Sequence, residues 1–587
     1  MCIIAAACGK KGENMTEIKK KISHVIEKKI KEIKPDAQIT ADEVASMLEY
    51  PPDEGMGDLA LPCFKLSKSL RNSPVKIAEA LSDGFVSEYV DRAEAVNGYF
   101  NIFLDAKKVS DKVVCEVLAK SEKYGAPEIG KGKTVVLDYS SPNVAKPFHI
   151  GHLGTTVIGH SLKKLHEFAG YKCIGINYLG DWGTQFGKLI CAYKLKGDMS
   201  AIEAGGVDEL VKLYVWINNE IKTEEEAGKT DLADASRAEF KKLEEGDAQN
   251  LALWRKFVDI SLAEYQKTYK QLGIEFDSYK GESFYTDKMP EQVEKLRKSG
   301  LLKIDDGASI VDLEEYGMPP CLILKKDGST LYPTRDIAAA VYRKKTYDFD
   351  KCIYVTSAAQ CLHFAQWFKV VELMGYDWYD KLVHVPYGTV SINGAKLATR
   401  TGNVILLRDL FAAAIEKVTD IMNEKNPDIE NKEETAEAVG VGAIVFYYLS
   451  NNRMKDINFT MEDALSFDGN TGPYAQYTYA RASGILEKAG EYGNGGNAST
   501  PEEFALVKMI SVFSERVLSA IDEYEPSIIA RYAMELCTAF NRFYHNCQIL
   551  SANDKDTRDF RIRLTDAARV VLGNAFDLIC MKKTEKI

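Results

Sequence analysis

Ser140-Ser141-Pro142-Asn143-Val144-Ala145-Lys146-Pro147-Phe148-His149-Ile150-Gly151-His152 joins two stretches of different periodicity. Before it, Val135-Val136-Leu137-Asp138-Tyr139 reads as a short buried strand. After it, apolar residues recur at helical spacing to about residue 169. Cys173-Ile174-Gly175-Ile176-Asn177-Tyr178 is then a second strand. Strand, helix and strand within about forty residues make a βαβ unit, hence a parallel sheet. The loop therefore ends at a helix N-terminus, where free N–H groups and the helix dipole favour phosphate. His149 and His152 can donate hydrogen bonds to phosphoryl oxygens as charge develops in a displacement at phosphorus. Gly151 and Gly154 remove side chains where a nucleotide would approach the backbone, and Lys146 precedes them in the same loop.

Two other patterns fail on inspection. Gly130-Lys131-Gly132-Lys133-Thr134 resembles a phosphate loop, but the first glycine would fall on Pro127, and the stretch precedes a strand instead of following one. His149, His152, His160 and His166 lie close in sequence. They lack the H-E-x-x-H spacing and any adjoining cysteine or carboxylate set, so no metal site is expected.

Outward from this unit the chain divides into regions. Residues 1–14 are expected to be a disordered extension or a mis-assigned start, because Met15 opens directly onto a lysine-rich amphipathic helix. Residues 15–125 read as a small α+β domain. It holds that helix, a turn-rich loop at Pro51-Pro52-Asp53-Glu54-Gly55 and a strand at Tyr99-Phe100-Asn101-Ile102-Phe103-Leu104. The α/β pattern occupies 126–408, interrupted over 191–275 by a charged helical insertion. It resumes at Cys352-Ile353-Tyr354-Val355-Thr356 and Leu382-Val383-His384-Val385. From 409 to 587 the spacing is almost wholly helical.

The 587 residues and ordinary composition exclude a disordered, collagenous or coiled-coil chain. No apolar run approaches the ~20 residues that cross a bilayer, so no membrane partner is expected. The twelve cysteines form no C-x-x-C pair, which suits a reducing cytoplasm. A net charge of −11 does not exclude nucleic acid, which is bound by local basic faces such as the lysine-rich helix of residues 17–34. No sustained heptad suggests self-association, and a monomer is expected.

The His149-Ile150-Gly151-His152 stretch resembles the first signature of class I aminoacyl-tRNA synthetases, and the longer loop resembles that of the arginyl-tRNA synthetases. The resemblance spans nearly the whole chain. Asn177-Tyr178-Leu179-Gly180-Asp181-Trp182-Gly183-Thr184-Gln185-Phe186-Gly187 is similar to the family's second block. Leu331-Tyr332-Pro333-Thr334-Arg335-Asp336 is similar to the third, followed by Gln360-Cys361-Leu362-His363-Phe364. Asn470-Thr471-Gly472-Pro473-Tyr474-Ala475-Gln476-Tyr477 resembles the opening of the family's anticodon-binding domain. The second class I signature is degenerate. Lys396-Leu397-Ala398-Thr399-Arg400 keeps the first lysine and carries threonine where a second would stand.

The resemblance implies a Rossmann-type α/β catalytic core flanked by a small N-terminal α+β domain and an all-α anticodon-binding bundle. It implies ATP with Mg²⁺, L-arginine and an arginine-accepting tRNA as partners. ATP would meet His149, Gly151, His152, Gly154, Lys396 and Thr399, and Lys146 and Arg400 would supply the cationic charge that the second signature lacks. The arginine pocket would be Asn143, His149, Glu282, Tyr332, Asp336 and Gln360, because a guanidinium calls for carboxylate acceptors. Asn101, Tyr474 and Tyr477 are candidate tRNA contacts. A glutamyl- or glutaminyl-type ligase would instead need a cation facing the substrate side chain. A catalytically dead paralogue would be expected to have lost a signature histidine, and both are present.

Overall fold

In the computed structural model, which describes residues 12–392, 395–396 and 405–587, the lysine-rich segment is the helix Met15–Ile33. Asn14 caps it reciprocally with Glu17. Ile18, Ile22, Ile26 and Ile30 recur at helical spacing and are fully buried. Lys19, one of the lysines of that basic face, turns inward. It pairs with Glu515 at 2.9 Å and so ties the N-terminal domain to the C-terminal helices. Residues 12–14, read from sequence as part of a disordered extension, are packed. Gly12 is buried against Glu116, and Glu13 pairs with Lys21 at 2.7 Å. The remainder of that extension lies outside the described residues.

The N-terminal sheet is antiparallel, with β1 (Leu59–Pro62), β2 (Val90–Val96) and β3 (Tyr99–Leu104) in the order β1-β3-β2. The catalytic sheet is built from β4 (Thr134–Asp138) and β5 (Lys172–Ile176), joined by the helix Leu153–Phe168. A second, antiparallel sheet follows, with β6 (Leu302–Asp305), β7 (Ala308–Val311) and β8 (Cys321–Leu324). Then come β9 (Lys351–Ser357) and β10 (Leu382–Tyr387), and the catalytic order is β10-β9-β4-β5, all parallel. Central β4 is buried on both faces, as parallel strands usually are: Val135, Val136 and Leu137 are inaccessible.

The helical insertion runs as five helices from Thr184–Lys196 to Ala248–Leu272. Its last helix does more than decorate the surface, because it packs beneath the signature loop. A small sheet follows β10, in which β11 (Val390–Ile392) pairs antiparallel with β12 (Ala395–Lys396) and parallel with β13 (Ile457–Phe459). Helices dominate beyond residue 409 as expected, yet β13 binds the segment up to 459 to the catalytic unit. The closing bundle contains Gly472–Ala489, Ser527–Asn546 and Lys555–Leu578. No helix among the described residues is long and apolar enough to cross a membrane.

Close packing under the sheet is tight at Gly159. A Cβ there would stand 2.3 Å from the Tyr139 side chain. Alanine gains helix propensity of about 1 kcal/mol, but overpacking costs about 1–3 kcal/mol. Gly159→Ala should therefore lower the urea midpoint of the full-length protein.

Candidate active site

Strand order reverses beside β4, since β5 lies on one side and β9 and β10 on the other. The carboxyl ends of β4 and β9 thus flank a topological switch point, where open α/β sheets form their ligand crevice. A cavity of about 450 Å³ opens there. The loop after β4 is strained: Ser140, Ser141 and Ala145 have φ of 71°, 41° and 59°. Hydrogen bonds hold it in place. Ser140 N–H donates to Thr155 Oγ1 at 3.0 Å, Ser141 Oγ to Asp138 at 2.9 Å, and Ala145 N–H to Ser261 Oγ at 3.0 Å. Tyr265, also from the insertion, donates to the carbonyls of Asn143 and Lys146 at 2.8 and 2.7 Å.

Below the loop, Asp138 and Arg343 form a buried ion pair at 2.7 Å. Breaking such a pair from one side costs about 3–5 kcal/mol. It anchors the loop's first residues to the helix Tyr332–Tyr347, which carries Asp336.

The two signature histidines sit ring to ring, with centroids 4.0 Å apart. Gly151 N–H donates to His149 Nδ1 at 3.1 Å, and His149 N–H donates to His152 Nδ1 at 3.2 Å. Both Nδ1 atoms are therefore acceptors, so each neutral ring carries its proton on Nε2. Burial lowers His152 to about 3, with help from His149 and Lys146, and lowers His149 to about 4, with help from Lys146. As neutral imidazoles the pair leaves two Nε2–H groups able to donate and brings no charge of its own.

Backbone pairing brings the separated motifs together. Val144 N–H donates to the Gly180 carbonyl at 3.1 Å, and Glu282 N–H to the Leu179 carbonyl at 3.0 Å. Asp181 accepts from Ser283 N–H and Oγ at 2.8 and 2.6 Å. A Cβ at Gly180 would run into the Asn143 side chain and displace it. Asn143, Glu282, Tyr332, Asp336 and Gln360 consequently line the same cavity as His152. His149 is not part of that lining, and exposed Lys146 stands at a separate, smaller cleft with Gln185 and Tyr214. Burial pushes Glu282 up to about 7, opposed by Arg335 and reinforced by Asp336 and Asp181.

Sequence reasoning missed three neighbours. Arg335 contacts Glu282 at 2.6 Å, and His363 Nε2 contacts Asp336 at 2.6 Å. Tyr178 lines the cavity, and its buried hydroxyl has no hydrogen-bond partner. All three residues lie inside the quoted motifs, so position marked them although pairing could not be read.

At Gly154 the space a Cβ would occupy is taken by Tyr448 and Tyr387, so packing alone calls for a small residue there. The second signature meets the first through its stems. Ile150 N–H donates to the Ile405 carbonyl at 3.2 Å, and Leu407 N–H to the Phe148 carbonyl at 2.9 Å. Thr399, Arg400 and the Lys396 side chain lie outside the described residues.

Of the candidate tRNA contacts, Asn101 is 4% exposed in the middle strand β3, on the sheet face it shares with Tyr99 and opposite the core residues Phe100 and Ile102, so its side chain is covered here. The exposed aromatics of that face are Tyr99 and Phe64, packed edge to face at 5.8 Å. Tyr477 is 44% exposed, and Arg481 lies over both its ring and that of exposed Tyr544. Tyr474 is half-buried and accepts from Asn541 at 2.8 Å. Between the N-terminal domain and the C-terminal helices runs a cleft of about 710 Å³ lined by Tyr50, Arg516, Arg531 and Arg542.

Three family descriptions match the chain in order. They are the arginyl tRNA synthetase N terminal domain over 16–104, the catalytic domain of tRNA synthetases class I (R) over 113–461, and the DALR anticodon binding domain over 475–587. The chain is 47% identical over 558 residues to an arginine--tRNA ligase of Clostridium botulinum, covering 94% of this chain and 98% of the relative. It is 46% identical over 578 residues to one of Alkaliphilus metalliredigens, covering 98% and 100%. Among solved structures, Thermus thermophilus arginyl-tRNA synthetase superposes with a TM-score of 0.81 at 25% identity, covering 97% of this chain and all of that one. With the signature histidines, the cavity acids and the bundle in one arrangement, the chain belongs to the arginyl-tRNA synthetase family of class I.

Proposed function

We infer that the protein ligates L-arginine to tRNA, first forming arginyl-adenylate from ATP and then esterifying the 3′ end of the tRNA. The observation that carries this reading is the convergence of Glu282 and Asp336 on the cavity that holds His152. Two carboxylates offer a guanidinium the acceptors it needs and leave a neutral isostere underbound. Asn143, Tyr332 and Gln360 complete the pocket, and His149 stands ring to ring with His152, which lines it.

In the first step an arginine carboxylate oxygen attacks the α-phosphorus, and the bond to the bridging oxygen of pyrophosphate breaks. Neutral His149 and His152 donate Nε2–H to oxygens whose charge grows at the pentavalent phosphorus. Lys146, Lys396 and Arg400 offset the charge of departing pyrophosphate. In the second step a terminal ribose hydroxyl attacks the arginyl carbonyl and AMP leaves. Magnesium would enter with the triphosphate and neutralise its charge there.

Arg481, Tyr477 and Tyr544 offer stacking faces to unpaired bases, with Tyr474 beside them. The protein acts as a cytoplasmic monomer, and adenylate formation requires bound tRNA. Arginine-dependent ATP–pyrophosphate exchange tests this, with lysine, glutamate and citrulline as controls. Exchange with arginine alone among the four, and only when tRNA is present, is the expected result. Exchange without tRNA would discard the coupling. No exchange in either condition would discard the ligase.

A further inference from the structure

Arg335 does not line the arginine cavity, yet its guanidinium is the nearest cation to one of the two acids that do. Its Nη1 lies 2.6 Å from Glu282 Oε2, and the two side chains are 13% and 17% exposed. It sits in the first turn of the helix Tyr332–Tyr347, one residue before Asp336. Arg335 thus approaches Glu282 from the protein side while Glu282 itself faces the cavity.

We propose that Arg335 is a positioning residue that fixes Glu282, as a carboxylate, for the guanidinium of substrate arginine. This rests on the reading of Glu282 as a guanidinium acceptor. Four groups face that carboxylate. Asp336 and Asp181 repel it, Tyr178 packs near it, and among the described residues Arg335 is the cation that pairs with it. Asp336 and Asp181 have other partners in His363 and Ser283. Burial and the two acids favour protonation of Glu282, and a protonated carboxyl cannot pair with a cation. The charge of Arg335 holds the balance near neutrality, and its planar fork sets the angle.

The test is the arginine KM in ATP–pyrophosphate exchange with tRNA, measured against pH for wild type, Arg335→Gln, Arg335→Lys and Glu282→Gln. Wild-type KM should rise as pH falls through about 7. In Arg335→Gln the inflection should move alkaline by one to two pH units. KM at neutral pH then rises roughly 10–100-fold and recovers as pH increases, with kcat and the ATP KM little changed. Arg335→Lys keeps the charge and should keep the wild-type inflection with a few-fold higher KM. Glu282→Gln should flatten the profile. An Arg335→Gln KM that is unchanged, or raised without alkaline recovery, overturns the proposal. If Arg335→Gln does not fold, an alkaline-shifted inflection or a lost kcat in Arg335→Lys overturns it instead. Absence of arginine-dependent exchange in wild type would overturn the underlying ligase reading itself.

Discussion

Asp336→Asn is expected to raise the arginine KM in the exchange assay by two to four orders of magnitude, leaving the ATP KM nearly unchanged. The side chain lines the cavity and is about one-fifth exposed. A guanidinium drawn into that cavity loses its water and must recover the cost from the two acids. Removing one partner of such a pair costs about 3–5 kcal/mol, and each tenfold is about 1.4 kcal/mol. The amide keeps the shape and the hydrogen bond to His363 and deletes the charge, so the loss reports electrostatics and not packing. The same variant should narrow the preference for arginine over citrulline, because citrulline has no charge to leave unpaired. An equal rise in the ATP KM would instead place Asp336 at the nucleotide end.

The parts of the fold visible in sequence are those where one residue pattern admits one structure. β4, the helix after it and β5 followed from apolar runs of strand length and a change to helical spacing. The motifs carrying Asp336 and Gln360 were legible as blocks, and backbone pairing at Gly180 and Leu179 joins the signature loop to the segment carrying Glu282. Other features depend on what meets across the fold. The β6-β7-β8 sheet has four-residue strands, and although β8 is an apolar run, Ile304 of β6 is exposed, so little buried pattern announces the sheet. Asn101 is polar, yet its strand is the middle one and buries it. Gly154 sits beside a phosphate-binding signature, but the residue that needs the space is Tyr448, far away in sequence. Arg335 was quoted in a motif, and only the folded chain sets its charge against Glu282.

Replacing either signature histidine by alanine should slow arginine-dependent adenylate formation about 10²–10³-fold, read in single-turnover or exchange kinetics, with modest changes in both KM values. This is the range observed when one preorganised donor to a developing oxyanion is removed. On this reading each ring acts as a neutral donor. Because Nδ1 of both accepts a backbone N–H, the reactive hydrogen is on Nε2 and the rings are neutral at working pH. With His149 at about 4 and His152 at about 3, protonation occurs only far below neutrality. The kcat profile should therefore carry no histidine inflection between about pH 5 and pH 8. An imidazolium mechanism would require an inflection there. Glutamine, which keeps an N–H at similar reach, should recover part of the loss, whereas a charged lysine should not. The charge-neutralising work falls to other residues: Lys146→Ala should slow pyrophosphate departure on its own. An unchanged rate in that variant would mean that Lys396 and Arg400 suffice, and that the altered second signature needs no help from the first.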